Sequence, residues 1–123
     1  MSNIHQLLIF AARAGNAEVL LERIASGADV NYGDERYGSA LLVAIHSRNI
    51  ESVQLLLEHG ADARMVDSHG NGPLEHALRV GDDAITALVL SRGARLHPHS
   101  LPRFREMLSM HLARLGINRE LSQ

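Results

Sequence analysis

Apolar residues recur at helical spacing in short bursts along this chain, and similar polar residues bracket each burst. In IESVQLLLEHG, Ile50, Val53, Leu56 and Leu57 fall on one face of a helix, and Gly60 can adopt the left-handed conformation that ends it. Asn49 stands just ahead, placed to accept hydrogen bonds from the first free amides, and Glu51 puts a carboxylate in the first turn, where the helix dipole favours it. The bracket repeats. Asn16 and Glu18 open one such stretch, Asp82 and Asp83 another, and the closing glycines at 27, 60 and 93 are 33 residues apart both times. A fixed period of that size marks a repeat architecture.

A shorter apolar segment precedes each of these helices: LLIFAARAG, ALLVAIHSR and PLEHALRVG. Leu8, Leu41 and Leu74 share a column of the repeat, as do Ala11, Ala44 and Ala77, whose small side chains let neighbouring helices approach. Ser39 is placed to cap the second copy and Pro73 to occupy the first turn of the third. The Arg48-Asn49 pair resets the helical phase, so residues 39 to 60 predict two helices rather than one. Each period therefore predicts a helix, a tight turn and a second helix. The segments YGDERYGS and MVDSHGNG between periods are polar, glycine-bearing, too short for a helix and suited to hairpin-like fingers.

Residues 98 to 123 keep the period less well. PHSLPRFREMLSMHLARLG predicts a helix after Pro102 with Phe104, Leu108, His111, Leu112 and Leu115 along one side. A degenerate fourth repeat or a C-terminal cap suits this position, because the end of a stack exposes an apolar face that no neighbour covers. At the other end Leu7, Leu8, Ile9 and Phe10 run consecutively, which implies either a distorted first repeat or a partly exposed set.

The pattern resembles the ankyrin repeat, whose unit has 33 residues and a T-P-L-H-x-A motif. Residues 67 to 74, DSHGNGPL, are close to the family's D-x-x-G-x-T-P-L, and GADVN and GADAR match its G-A-D-V-N ending. The chain departs from the motif at two columns. The threonine position holds Gln6, Ser39 and Gly72 and the histidine position holds Ile9, Leu42 and Glu75, so the stitching bonds those family side chains make are not expected here. The resemblance covers about residues 4–97. It implies an all-α, ankyrin-repeat solenoid of stacked helix-turn-helix units with short fingers, forming one domain over 1–123. The repeats would span about 4–33, 34–66 and 67–99, with a capping helix at about 100–116.

Protein binding through the concave face, lined by fingers and inner helices, is what the resemblance implies for function. Family contact positions lie at the finger tip and the end of the inner helix. Here they map to Glu35, Arg36 and Gly38, then His46 and Ser47; in the next repeat to Ser68, His69 and Asn71, then Arg79 and Val80. The first repeat lacks a finger and retains Arg13 and Ala14. Tyr32 and Tyr37, both tyrosines of the chain, flank Asp34 to Arg36 in one finger, and Tyr and Arg are enriched at binding hot spots. Tyr37 would otherwise pack on the next finger. Met65, in the matching loop, extends an apolar strip.

Composition narrows the function classes. A chain of 123 residues, 46% hydrophobic and 21% charged, is that of an ordinary folded domain. No apolar run approaches the roughly 18 residues of a membrane span, and MSNIHQLLIF lacks a basic n-region and a cleavage site, so a cytoplasmic protein without membrane attachment is expected. Zero cysteines exclude disulfides, thiolate catalysis and cysteine-based zinc sites. The twelve basic residues are all Arg, a bias that suggests a GC-rich genome and a bacterial source. Charge is uneven: residues 1–91 carry six Arg against twelve acids, net −6, and 92–123 carry six Arg against Glu106 and Glu120, net +4.

Candidate chemistry is sparse. Of eight histidines, His97 and His99 form the densest pair, but no HExxH accompanies them and a two-histidine metal site would need carboxylates from elsewhere. Glu75 and His76 on an inner helix suit a repeat-to-repeat hydrogen bond or simple exposure. No GxSxG or phosphate-cradling loop is present. The C-terminal Arg92, Arg95, Arg103, Arg105 and Arg114 would suit nucleic acid or an acidic protein; with one nearby aromatic, Phe104, and a chain net charge of −2, an acidic partner or internal pairing is favoured. Together these point to a non-enzymatic module without a cofactor, monomeric alone, that binds another protein as an inhibitor, immunity-type protein or adaptor. The alternatives are a metal-dependent binder or enzyme at His97 and His99, and a nucleic-acid binder at the Arg-rich end.

Overall fold

The structure is a computed structural model and describes residues 3–116. Short inner helices alternate with outer ones: α1 (Ile4–Ala14), α2 (Ala17–Ala25), α3 (Ala40–His46), α4 (Ile50–Glu58), α5 (Pro73–Val80) and α6 (Asp83–Ser91). A 3-10 turn at Pro98–Ser100 leads into α7 (Leu101–Arg114). Between α2 and α3 a two-stranded antiparallel hairpin, β1 (Gly33–Asp34) and β2 (Gly38–Ser39), pairs Gly33 with Ser39 and Asp34 with Gly38.

The polar brackets act as the sequence pattern expects. Asn16, Asn49 and Asp82 accept hydrogen bonds from the amides of Val19, Ser52 and Ile85 at 3.2, 2.9 and 3.0 Å, starting α2, α4 and α6. Ser39 caps α3 through the amide of Leu42 at 3.3 Å, and Pro73 begins α5. Past each outer helix a glycine takes positive φ: 97° at Gly27 and 96° at Gly60 and Gly93. The next amide then folds back onto the helix, as Ala61 does onto the carbonyl of Leu56 at 2.9 Å. Ala28, Ala61 and Ala94 are thereby turned into the core.

In the inner layer α3 lies between α1 and α5, and α7 packs on α5 beyond it; α2, α4 and α6 form the outer layer. The Leu8, Leu41, Leu74 column and the Ala11, Ala44, Ala77 column are buried throughout. Six consecutive residues of α3, Ala40 to Ile45, are buried, because this helix has neighbours on both sides and a helix apolar all round must be covered all round. Two apolar residues depart from expectation, and a third, Phe10, takes the exposed alternative. Ile50 is 43% exposed at the start of α4, Leu115 is 41% exposed just past the end of α7, and Phe10 is 44% exposed on α1 while Leu8 and Ile9 beside it are buried.

Adjacent repeats are stitched by side chains, one of them at the family's threonine position, where Gln6 donates to Oδ2 of Asp34 at 3.3 Å. Asn31 donates to the carbonyl of Gly60 at 3.1 Å and accepts from the amide of Asp62 at 2.7 Å. Ser47 donates to the carbonyl of Arg13 at 3.2 Å, and within the first repeat the amide of Asp29 donates to Nδ1 of His5 at 2.8 Å. At the histidine position the apolar Ile9 and Leu42 have no side-chain hydrogen bond to offer, and the bonding falls to Glu75. Its Oε1 accepts from the amide of Gly72 at 3.0 Å, and its Oε2 accepts from the amide and Nδ1 of His97, both at 2.9 Å, and from the hydroxyl of Ser100 at 2.6 Å.

Candidate functional site

The concave side is a trough in two continuous halves. In the first, Asp34 builds the finger tip by accepting from the amides of Arg36 at 2.7 Å and Tyr37 at 3.1 Å. Those amide bonds, outweighing slight burial, hold its carboxyl below the usual range. The turn leaves Glu35 and Arg36 exposed and brings Tyr37 back over the inner helices. Phe10 meets the Tyr37 ring edge-on at 6.3 Å between centroids, and the guanidinium carbons of Arg13 and Arg36 lie 5.7 and 6.0 Å from its centroid. Arg13, Arg36 and Tyr37, with His46, Ser68 and His69 opposite, bound an open groove of about 520 Å³, and Phe10 borders it through its contact with Tyr37.

Across its floor runs a chain of three polar side chains. The Nε2 of His76 donates to Oδ2 of Asp67 at 2.8 Å, which leaves its Nδ1 as acceptor for Nε2–H of His46. The other oxygen of Asp67 accepts from the amides of His69 at 2.8 Å and Asn71 at 3.0 Å, closing the second finger. Burial opposes ionisation of Asp67, but the Asn71, His76 and His69 donors overcome it and keep the carboxyl below its ordinary value. Burial first, then the repulsion that a proton on His46 would meet from any proton on His76 and from Arg79, push His46 down from the usual imidazole value.

The second half is a wider groove of about 670 Å³ between that finger and α7, sharing Asp67 and His69 with the first. Arg79 and Arg103 lie over the buried ring of Phe104 at 5.8 and 5.3 Å, and Asn71, His99 and Ser100 complete the lining. Glu75 sits behind this groove with no exposed surface. Its burial is outweighed by the Ser100 and His97 donors, which lower its carboxyl to about 2.

The trough gathers most of the residues expected at the interface. Glu35, Arg36, Tyr37, His46, Ser68 and His69 line the first half; His69, Asn71 and Arg79 line the second. Tyr32 and Met65 line neither half. Tyr32 stacks on His5 at 5.1 Å, and Met65 packs beneath Gly33. Sequence reasoning passed over Phe10, Val43 and Phe104 as parts of this surface. The 33-residue register does carry a signal for the first two, since Phe10, Val43 and His76 share a column facing the trough; Phe104 lies outside the regular repeats.

The alternative chemistries fare differently. The His97 and His99 rings are 6.0 Å apart, but Nδ1 of His97 is bound to Glu75, and among the described residues no group of three or more histidines and carboxylates is arranged to hold a metal. Part of the basic C-terminal segment pairs internally. Arg114 and buried His111 reach Asp83 at the start of α6, each with a contact under 3.0 Å, and lower its carboxyl to about 2.

A family model described as ankyrin repeats, in three copies, matches residues 8–99. The chain belongs to the ankyrin-repeat family. Curated relatives carry similar segments: the potassium channel AKT1 of Arabidopsis thaliana is 41% identical over 63% of this chain and 9% of its own length. The L-asparaginase of Dirofilaria immitis is 37% identical over 59% of this chain and 12% of its own. Ankyrin repeat domain-containing protein 63 of Homo sapiens is 36% identical over 70% of this chain and 22% of its own. The chain thus spans less than a quarter of these relatives, and what each does as a whole does not come with the match. An ankyrin-repeat chain of this kind is a protein–protein interaction module. Among the described residues no helix is long and apolar enough to cross a membrane.

Proposed function

We propose that this ankyrin-repeat chain binds another protein through its concave trough, with Tyr37 and the side chains around it as the anchor. The supporting observation is the Phe10, Arg13, Arg36 and Tyr37 cluster at the mouth of the 520 Å³ groove, where aromatic and arginine side chains present large contact area at little entropic cost. The role is non-enzymatic. Apart from exposed Glu35, the carboxylates of the trough are engaged in structure: Asp34 and Asp67 close the fingers, and Glu75 ties α5 to the segment before α7. Bound there, a partner would be occluded or positioned by a rigid face, as an inhibitor, immunity-type protein or adaptor does. The test is affinity capture followed by mass spectrometry, then titration of the captured partner. Arg36→Ala with Tyr37→Ala should weaken binding at least tenfold while leaving the melting temperature near that of the parent. Unchanged affinity would remove the trough from the interface.

A further inference from the structure

Arg79 and Arg103 come from different elements, α5 and α7, yet converge on one ring. Their guanidinium carbons lie 5.8 and 5.3 Å from the centroid of Phe104, and among the described residues neither is within ion-pairing distance of a carboxylate. A guanidinium resting over an aromatic ring keeps N–H donors available, and the contact restricts rotamer freedom that a ligand would otherwise have to freeze. Asp67, the one acid of this groove, already accepts from His76 and from two finger amides. Two cations facing one engaged anion leave an excess of positive charge in a chain whose net charge is −2. Asn71, His69 and His99 add polar groups around the same space. The adjoining half has a different character: Phe10, Tyr37, Leu42 and Val43 line or border it.

We propose that the second half of the trough is a carboxylate-binding site, and that the partner presents an extended segment with acidic residues over Arg79 and Arg103 and an apolar residue at Tyr37. The inference rests on the protein-binding reading and adds the chemistry of the partner. Nucleic acid fits less well. The Phe104 ring lies beneath the arginines and gives bases no stacking platform, and Asp34 and Glu35 farther along the trough would repel a continuing phosphate backbone. The site depends on α7, because Arg103 and Phe104 both lie beyond the residues that match the repeat family.

The test uses the whole chain and three fluorescein-labelled probes: a glutamate-rich peptide with one leucine, its glutamine counterpart, and a single-stranded oligonucleotide of equal charge. The glutamate peptide should bind and be released by salt; Arg79→Gln or Arg103→Gln should each weaken it about tenfold, as expected for losing a hydrogen bond to a charged group. Arg92→Gln, in the same basic segment but outside the trough, should leave binding unchanged. The proposal is overturned if the wild-type chain does not bind the glutamate peptide, binds the glutamine peptide equally, or prefers the oligonucleotide. A captured partner whose affinity falls with Arg36→Ala and Tyr37→Ala but ignores Arg79→Gln and Arg103→Gln would also overturn it, while leaving protein binding at the first half intact.

Discussion

Glu75 stands where a repeat of this family has histidine, and its surroundings show how one departure from a motif is accommodated. The carboxylate is fully buried and accepts four hydrogen bonds, from Gly72, Ser100 and twice from His97. Removing its charge leaves those donors poorly matched, so Glu75→Gln should cost roughly 2 kcal/mol in urea unfolding. Its pH signature follows from its lowered carboxyl, about 2 against an ordinary 4.5, and Asp83 behaves alike, about 2 against 3.8. Between those values the unfolded chain binds more protons than the folded one. This contribution is therefore complete above pH 4.5 and is lost as pH falls toward 2. His46 acts in the same sense from a higher pH, since its folded value lies below 6.5 and the unfolded chain takes up the proton first. Urea midpoints should fall steadily on acidification, and Glu75→Gln should flatten the lower part of that curve. The identity of Glu75 was plain in the sequence, as was the choice between an inter-repeat bond and exposure. Its donors were not, because His97 and Ser100 reach it only after the chain has turned past α6.

Among the described residues, α7 differs from the other inner helices in having no outer partner. Phe104, Leu108, His111 and Leu112 form its buried stripe, and Met107 and Met110 remain exposed. A capping role for this helix predicts that deleting residues 101–123 uncovers the far side of α5 and breaks the His111–Asp83 pair. Amide hydrogen exchange in α5 and α6 should then rise before that in α3 and α4; a truncated chain with unchanged exchange and melting temperature would make α7 an appendage. The apolar stripe of α7 was legible from its spacing, and so were the helix starts at Asn16, Asn49 and Asp82. Exposure was not. Ile50 fits the same periodicity as Val53 and Leu56 yet is exposed at the first position of α4.

At the scale of the molecule, stability is a sum of repeats and the contacts between neighbours. The middle repeat has neighbours on both sides, so Leu41→Ala in α3 should cost about 2 to 5 kcal/mol and lower the melting of the whole chain. Leu20→Ala in α2, equally buried but at one end, should show its largest rise in hydrogen exchange within the first repeat. The candidate site also belongs to this scale, because it is shared among two fingers, three inner helices and α7. The sequence by itself determined the period, the helix pairs, their caps and the fingers, and through the register most residues of the trough. These features are local: a helix cap or a glycine at positive φ acts within a few residues, and a period of 33 repeats such local choices. Only the tertiary structure decided that Tyr32 stacks on His5 while Tyr37 faces the trough, that Asp67, His76 and His46 form one chain, and that Arg79 and Arg103 meet over Phe104. Each of those depends on how far one repeat is rotated and shifted against the next, a quantity set by packing across the stack and carried by no single stretch of residues.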